Sequence, residues 1–135
     1  MKDKIFGELE YDQDWERDFE MEIFNDSHLL SLIVEVDSVE RTISDSQRDL
    51  FEYFLHNKLT IVSKIESALL KHFGKVEKDT VIKDMKFTAL IFPDSSFFPK
   101  GTFGFLAESE IEPEHGVGII VNGDSIEIDL QDIFL

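Results

Sequence analysis

The sequence predicts an α+β domain: an antiparallel sheet of about six or seven strands, with one long helix packed across one face. Three observations lead there. Apolar and acidic residues alternate with period two at the N-terminus, one amphipathic stretch of helical spacing fills the middle, and short apolar segments separated by turn residues close the chain. The length of 135 residues fits one domain, 1–135, with no repeat, low-complexity tract or Pro/Gly/Ser linker to divide it.

The alternation starts at Ile5, where Ile5, Gly7, Leu9 and Tyr11 oppose Phe6, Glu8 and Glu10, and resumes after Asp12-Gln13-Asp14. There Trp15, Phe19, Met21 and Ile23 oppose Glu16, Asp18, Glu20 and Glu22, so two half-buried strands are expected. Asn25-Asp26-Ser27 is a turn signal, and Leu29 to Val36 reads as a third, more apolar strand.

Helix punctuation follows. Ser44 and Gln47 have capping-box spacing, Asp45 suits the positive end of the helix, Lys71 and His72 suit its last turn, and Gly74 stands at a C′ position. The expected helix runs from about 45 to 73, about 43 Å at 1.5 Å per residue. Its apolar stripe includes Phe51, Phe54, Ile61, Ile65 and Leu69.

Residues 81 to 92 read either as a strand or as a short helix followed by a strand, with the strand expected near 86 to 92. After the loop from Pro93 to Gly101, a three-strand meander is expected over Phe103 to Ile111, Val117 to Asn122 and Ser125 to Leu130. Its last turn is marked by Asn122-Gly123, two residues that tolerate positive φ.

Charge narrows the function. The formal net charge is −16, and residues 1 to 22 hold nine acids against three bases. Residues 101 to 135 hold eight acids and no Lys or Arg, whereas residues 44 to 86 are near balance. Phosphate backbones and anionic lipid are bound through Lys and Arg, so neither direct nucleic-acid binding nor membrane binding is expected. A basic protein partner is natural. With no Cys there is no disulfide framework or thiolate metal site, and with no hydrophobic leader the expected location is cytoplasmic.

If the helix covers one sheet face, alternation turns Glu8, Glu10, Glu16, Asp18, Glu20 and Glu22, with Glu108, Glu110, Glu127 and Asp129, toward solvent, and from Glu16 onward these form a candidate partner-binding surface. Such a face is alternatively only a device for solubility and against edge aggregation. Phe97 and Phe98 are adjacent in a loop and cannot both point inward from an extended segment. One is therefore a candidate contact anchor, with packing beneath the loop as the plainer alternative.

Glu110-Ile111-Glu112-Pro113-Glu114-His115-Gly116 carries the densest chemistry. Pro113 and Gly116 make it a hairpin turn, while Glu112, Glu114 and His115, with Glu110, are weak candidates for a divalent metal or an acid/base pair. Asp12-Gln13-Asp14 resembles the opening of a calcium loop, but Arg17 stands at the required Gly and Ile23 at the bidentate Glu. No phosphate loop, nucleophile elbow or nucleotide fingerprint is present, which counts against an enzyme, and no cofactor is expected.

The opening Phe6-Gly7-Glu8-Leu9-Glu10-Tyr11, the stretch Glu110 to Gly118 and the closing Gln131-Asp132-Ile133 resemble a group of small acidic bacterial proteins carrying a domain of unknown function. In that pattern an acidic residue and Pro precede Glu-His-Gly-Leu-Gly, and Val117 replaces the Leu here. The resemblance brings no active site. Some proteins of similar size, acidity and architecture are immunity proteins of toxin systems. Together with the charge, this analogy makes an immunity or antitoxin protein that neutralises a basic toxin the leading expectation, and a metal-binding module or metal-dependent enzyme the alternative.

Overall fold

A computed structural model of the chain describes residues 1–94 and 98–129. Nine strands and three helices are present among these residues. β1 (Lys2–Asp3) and β2 (Gly7–Glu8) form a small antiparallel ribbon. The other seven strands make one sheet in sequence order: β3 (Glu10–Asp12), β4 (Asp14–Ile23), β5 (Asp26–Val34), β6 (Lys86–Phe92), β7 (Thr102–Glu108), β8 (Val117–Asn122) and β9 (Ser125–Asp129). The α+β class and the strand number therefore stand.

Two expectations are corrected. The sheet is mixed, because β5 and β6 pair in parallel while every other neighbour pair is antiparallel. The helical segment between them returns the chain to the end of the sheet where β5 began, and parallel strands need a crossover of that kind. The single long helix is also divided. α1 spans Asp45–His56, α2 spans Lys58–His72 and α3 spans Lys78–Asp84, so the short-helix-then-strand reading of residues 81 to 92 is the one adopted.

The division falls at Asn57, whose φ of −121° and ψ of 19° leave the helical region. Its backbone N–H is shared between Phe54 O and Tyr53 O, and its Nδ2 also donates to Tyr53 O at 2.8 Å. Asn side chains compete for backbone groups in this way. Gly74 follows the α2 C-cap residue Phe73, but the glycines with positive φ are Gly7, Gly101, Gly116 and Gly123.

The N-terminal strand splits into β2 and β3 because Phe6 and Leu9 are both buried, which strict alternation cannot achieve. The β4–β5 turn sits at Phe24-Asn25, one or two residues before the predicted signal, with both residues at positive φ and Ile23 paired to Asp26. Likewise Asn122 pairs with Ser125, so the last tight turn is Gly123-Asp124.

The core lies between the helices and one face of the sheet. Phe6, Phe51, Phe54, Phe92, Phe103 and Phe105 are fully buried there, with Phe6 stacked on Phe51 at 4.8 Å and Phe92 on Phe103 at 5.4 Å. Such pairs add about 0.5–1.5 kcal/mol beyond their buried area. On the opposite face a second, smaller cluster of Ala89, Ile91 and Leu106 is buried, with Ile33, Phe98 and Ile120 packed against it. β6 and β7 are thus covered on both sides, and their sequences read as apolar runs. No helix among the described residues is long and apolar enough to cross a membrane.

Candidate functional site

The face that the helices leave uncovered is built by register. Residues paired across neighbouring strands share a face. Glu10 pairs with Glu16 and Asp12 with Asp14, while Glu16, Asp18, Glu20 and Glu22 pair with Ile33, Ser31, Leu29 and Ser27. Seven carboxylates from β3 and β4 therefore stand on one face, spaced along β4 at roughly 6.6–6.8 Å. Two pairs of them, Glu10 with Glu16 and Asp12 with Asp14, are like charges directly opposed.

Among the described residues none of the seven is in an ion pair. Ser27 Oγ donates to Glu20 Oε1 at 2.8 Å, and the Val36 N–H donates to Asp14 Oδ1 at 3.4 Å. Arg17, the one base within β4, lies on the other face, where its Nε donates to Phe6 O at 2.6 Å and its guanidinium lies over the Phe19 ring. The crowding has an electrostatic signature. Partial burial and then the charges of Asp12 and Asp14 raise the Glu16 carboxyl above its usual range, and burial raises Asp14.

The same effect peaks at Glu35, just beyond β5. Burial, then the charges of Asp14 and Asp94, push this carboxyl up to about 7. Beside it, Gln47 Nε2 donates to Glu35 O at 2.7 Å and Phe92 O at 3.1 Å, tying the start of α1 to the ends of β5 and β6. Sequence reasoning placed Gln47 in the capping box, which is present, but gave no sign of this second role.

The Glu110–Gly116 stretch is the β7–β8 connection, a turn closed by the Gly116 N–H donating to Glu112 O at 3.0 Å. Asp84, at the end of α3, fixes its base: Ser109 Oγ donates to Asp84 Oδ2 and the Glu110 N–H to Asp84 Oδ1 at 2.7 Å. A cleft of about 430 Å³ opens beside the turn, with Lys86, Glu108, Glu110, Glu114 and His115 among its walls. Glu112 is not in that lining, and His115 Nε2 stands 3.9 Å from Glu114 Oε2. Among the described residues no group of three or more His, Asp or Glu side chains is disposed to hold a metal ion.

The predicted partner-binding residues are thus brought together only in part. Glu16, Asp18, Glu20 and Glu22 form one continuous rail with Glu10, Asp12 and Asp14. Glu127 shares the open face, paired with Ile120, and Asp129 is paired with Gly118, but both belong to β9 at the opposite edge. Five strand spacings, roughly 24 Å, separate β9 from β4. Glu108 pairs with Lys86, and Glu110 belongs to the cleft. Phe98 packs on the small second cluster, and Phe97 lies outside the described residues. Leu29, exposed at 66% beside the rail, was not singled out by the sequence because it sits in an apolar run that also supplies buried Leu30 and Leu32.

No curated protein and no solved structure matches the chain. The family described as "Domain of unknown function (DUF6985)" matches residues 5–135, a span that takes in every element from β2 to β9, and the chain belongs to that family.

Proposed function

We propose that this protein is an interaction module that docks a basic protein on the uncovered face of β3–β5. In its most concrete form it is an immunity or antitoxin protein that occupies the cationic cleft of a nuclease toxin. The observation that carries this reading is the row of seven β3–β4 carboxylates without an ion-pair partner among the described residues. Directly opposed like charges destabilise a sheet, so retaining them is explained by a ligand that neutralises them. A single-sign surface also accelerates encounter with an oppositely charged partner. Among the described residues Glu110, Glu112, Glu114 and His115 do not converge as a ligand set, so the divalent-metal alternative draws less support from the geometry.

The test is capture from a lysate of the native host by the wild-type chain and by a neutral rail variant, Glu16→Gln, Asp18→Asn, Glu20→Gln and Glu22→Gln combined. A basic protein is expected on the wild-type chain alone, released as salt is raised. Equal retention by the neutral variant, or retention indifferent to salt, overturns the reading.

A further inference from the structure

We infer that the partner's contact element is amphipathic rather than merely cationic, and that it seats an apolar side chain on Leu29 while Lys or Arg side chains engage the β4 carboxylates. This rests on the docking reading above and specifies its partner.

Leu29 is exposed at 66%, although it lies in the middle of β5 rather than at a strand end or loop. It pairs directly with Glu20, and its strand neighbours on the same face, Ser27 and Ser31, pair with Glu22 and Asp18. An apolar side chain therefore stands with carboxylates along one flank. Along its own strand the face continues through Ser31 to Ile33, which packs on the cluster of Ala89, Ile91 and Leu106. Ala89 and Ile91 on β6 are already buried, so Leu29 is the apolar side chain that this face presents to solvent beside the carboxylates of β4.

A purely cationic ligand would satisfy only the carboxylates and leave Leu29 in water. A ligand with a basic stripe beside an apolar one satisfies both, excluding water around the anchor while the charges form the rim. A second copy of this chain does not fit, because it would bring an identical row of carboxylates against the first. Nucleic acid is repelled for the same reason.

The experiment uses two synthetic peptides of equal length and equal Lys/Arg content: one with a leucine stripe beside its basic stripe, the other with serine in place of each leucine. Affinity is measured by anisotropy, and the site is mapped by backbone amide shifts. The leucine peptide is expected to bind about tenfold tighter, which is the equivalent of about 1.4 kcal/mol, with shifts concentrated in residues 18–22 and 27–31. Leu29→Ser is expected to erase that advantage without changing the affinity for the serine peptide. Leu29→Thr, which retains strand preference, serves as a second variant should the first alter the thermal midpoint.

Equal affinity for the two peptides, with Glu20→Gln/Glu22→Gln still weakening both, overturns the amphipathic partner and leaves acidic docking standing. If neither peptide binds at low salt, or both bind with shifts outside β3–β5, the docking reading falls with it.

Discussion

At the scale of single residues, two carboxylates respond to pH in opposite directions. Glu35 is raised from 4.5 to about 7 by burial and by the charges of Asp14 and Asp94. Its folded state therefore holds a proton that the unfolded chain has lost, and its contribution to stability is present below about 4.5 and lost as pH rises through about 7. Glu35→Gln is expected to raise the thermal midpoint at pH 8 and change it little at pH 5. The gain at the higher pH is roughly 1–2 kcal/mol, allowing for solvent screening of a half-buried group. Equal effects at both pH values, measured by thermal melts, would contradict the assignment.

Asp3 has the other sign. Burial works against its charge, but the bond from Arg48 and the N–H groups of Phe6 and Ile5 together hold its carboxyl below the usual range. Arg48 Nη2 lies 2.7 Å from Asp3 Oδ1, and Oδ2 accepts from Phe6 at 2.9 Å and Ile5 at 3.0 Å. Stability from this group is present above the unfolded pKa and lost as pH falls through the lower folded value. Asp3→Ala leaves the Arg48 guanidinium and two N–H groups without this acceptor, so a loss of about 3 kcal/mol is expected in urea melts at pH 7.

At the scale of elements, the start of α1 separates a local role from a tertiary one. Ser44 Oγ accepts from the Gln47 N–H at 3.1 Å, and Ser44→Ala should cost about 1 kcal/mol, the usual worth of a cap. Gln47 additionally satisfies the ends of β5 and β6, so Gln47→Ala is expected to cost more, about 2–3 kcal/mol, because buried carbonyls lose their donor. Equal losses for the two variants would show that the tether adds nothing.

The contrast also marks what could be read before folding. The capping box and the acidic alternation of β4 are local patterns that fall where the residues put them, and the β8–β9 hairpin forms with its turn one residue later than Asn122-Gly123. The break at Asn57 depends on a side chain competing for Tyr53 O inside a stretch whose apolar spacing continues on both sides. The parallel pairing of β5 with β6 depends on how three helices return the chain. The separation of Glu127 and Asp129 from the β4 rail depends on strand order, which alternation within a strand does not encode.

At the scale of the whole molecule, the open face decides how stability and binding trade against each other. The β3–β4 rail concentrates seven of the chain's carboxylates where neighbours repel, and repulsion between exposed charges is screened over about 10 Å at 0.1 M salt. Added salt is therefore expected to raise the thermal midpoint of the free protein while weakening its hold on a basic partner. Relieving the two opposed pairs chemically should act in the same direction: Asp12→Asn with Glu16→Gln is expected to stabilise the free chain by about 0.5–1 kcal/mol, since like charges directly opposed cost up to that order. The double variant should also lose part of its salt sensitivity, because fewer repulsions remain to be screened. A surface held only for solubility would show the stabilisation with no change in capture of a basic protein, whereas a docking surface shows stabilisation and weaker capture together. Measuring both on the same double variant separates the two, because the substitutions leave the apolar neighbours Leu29 and Ile33 in place and alter only the charge presented to a ligand.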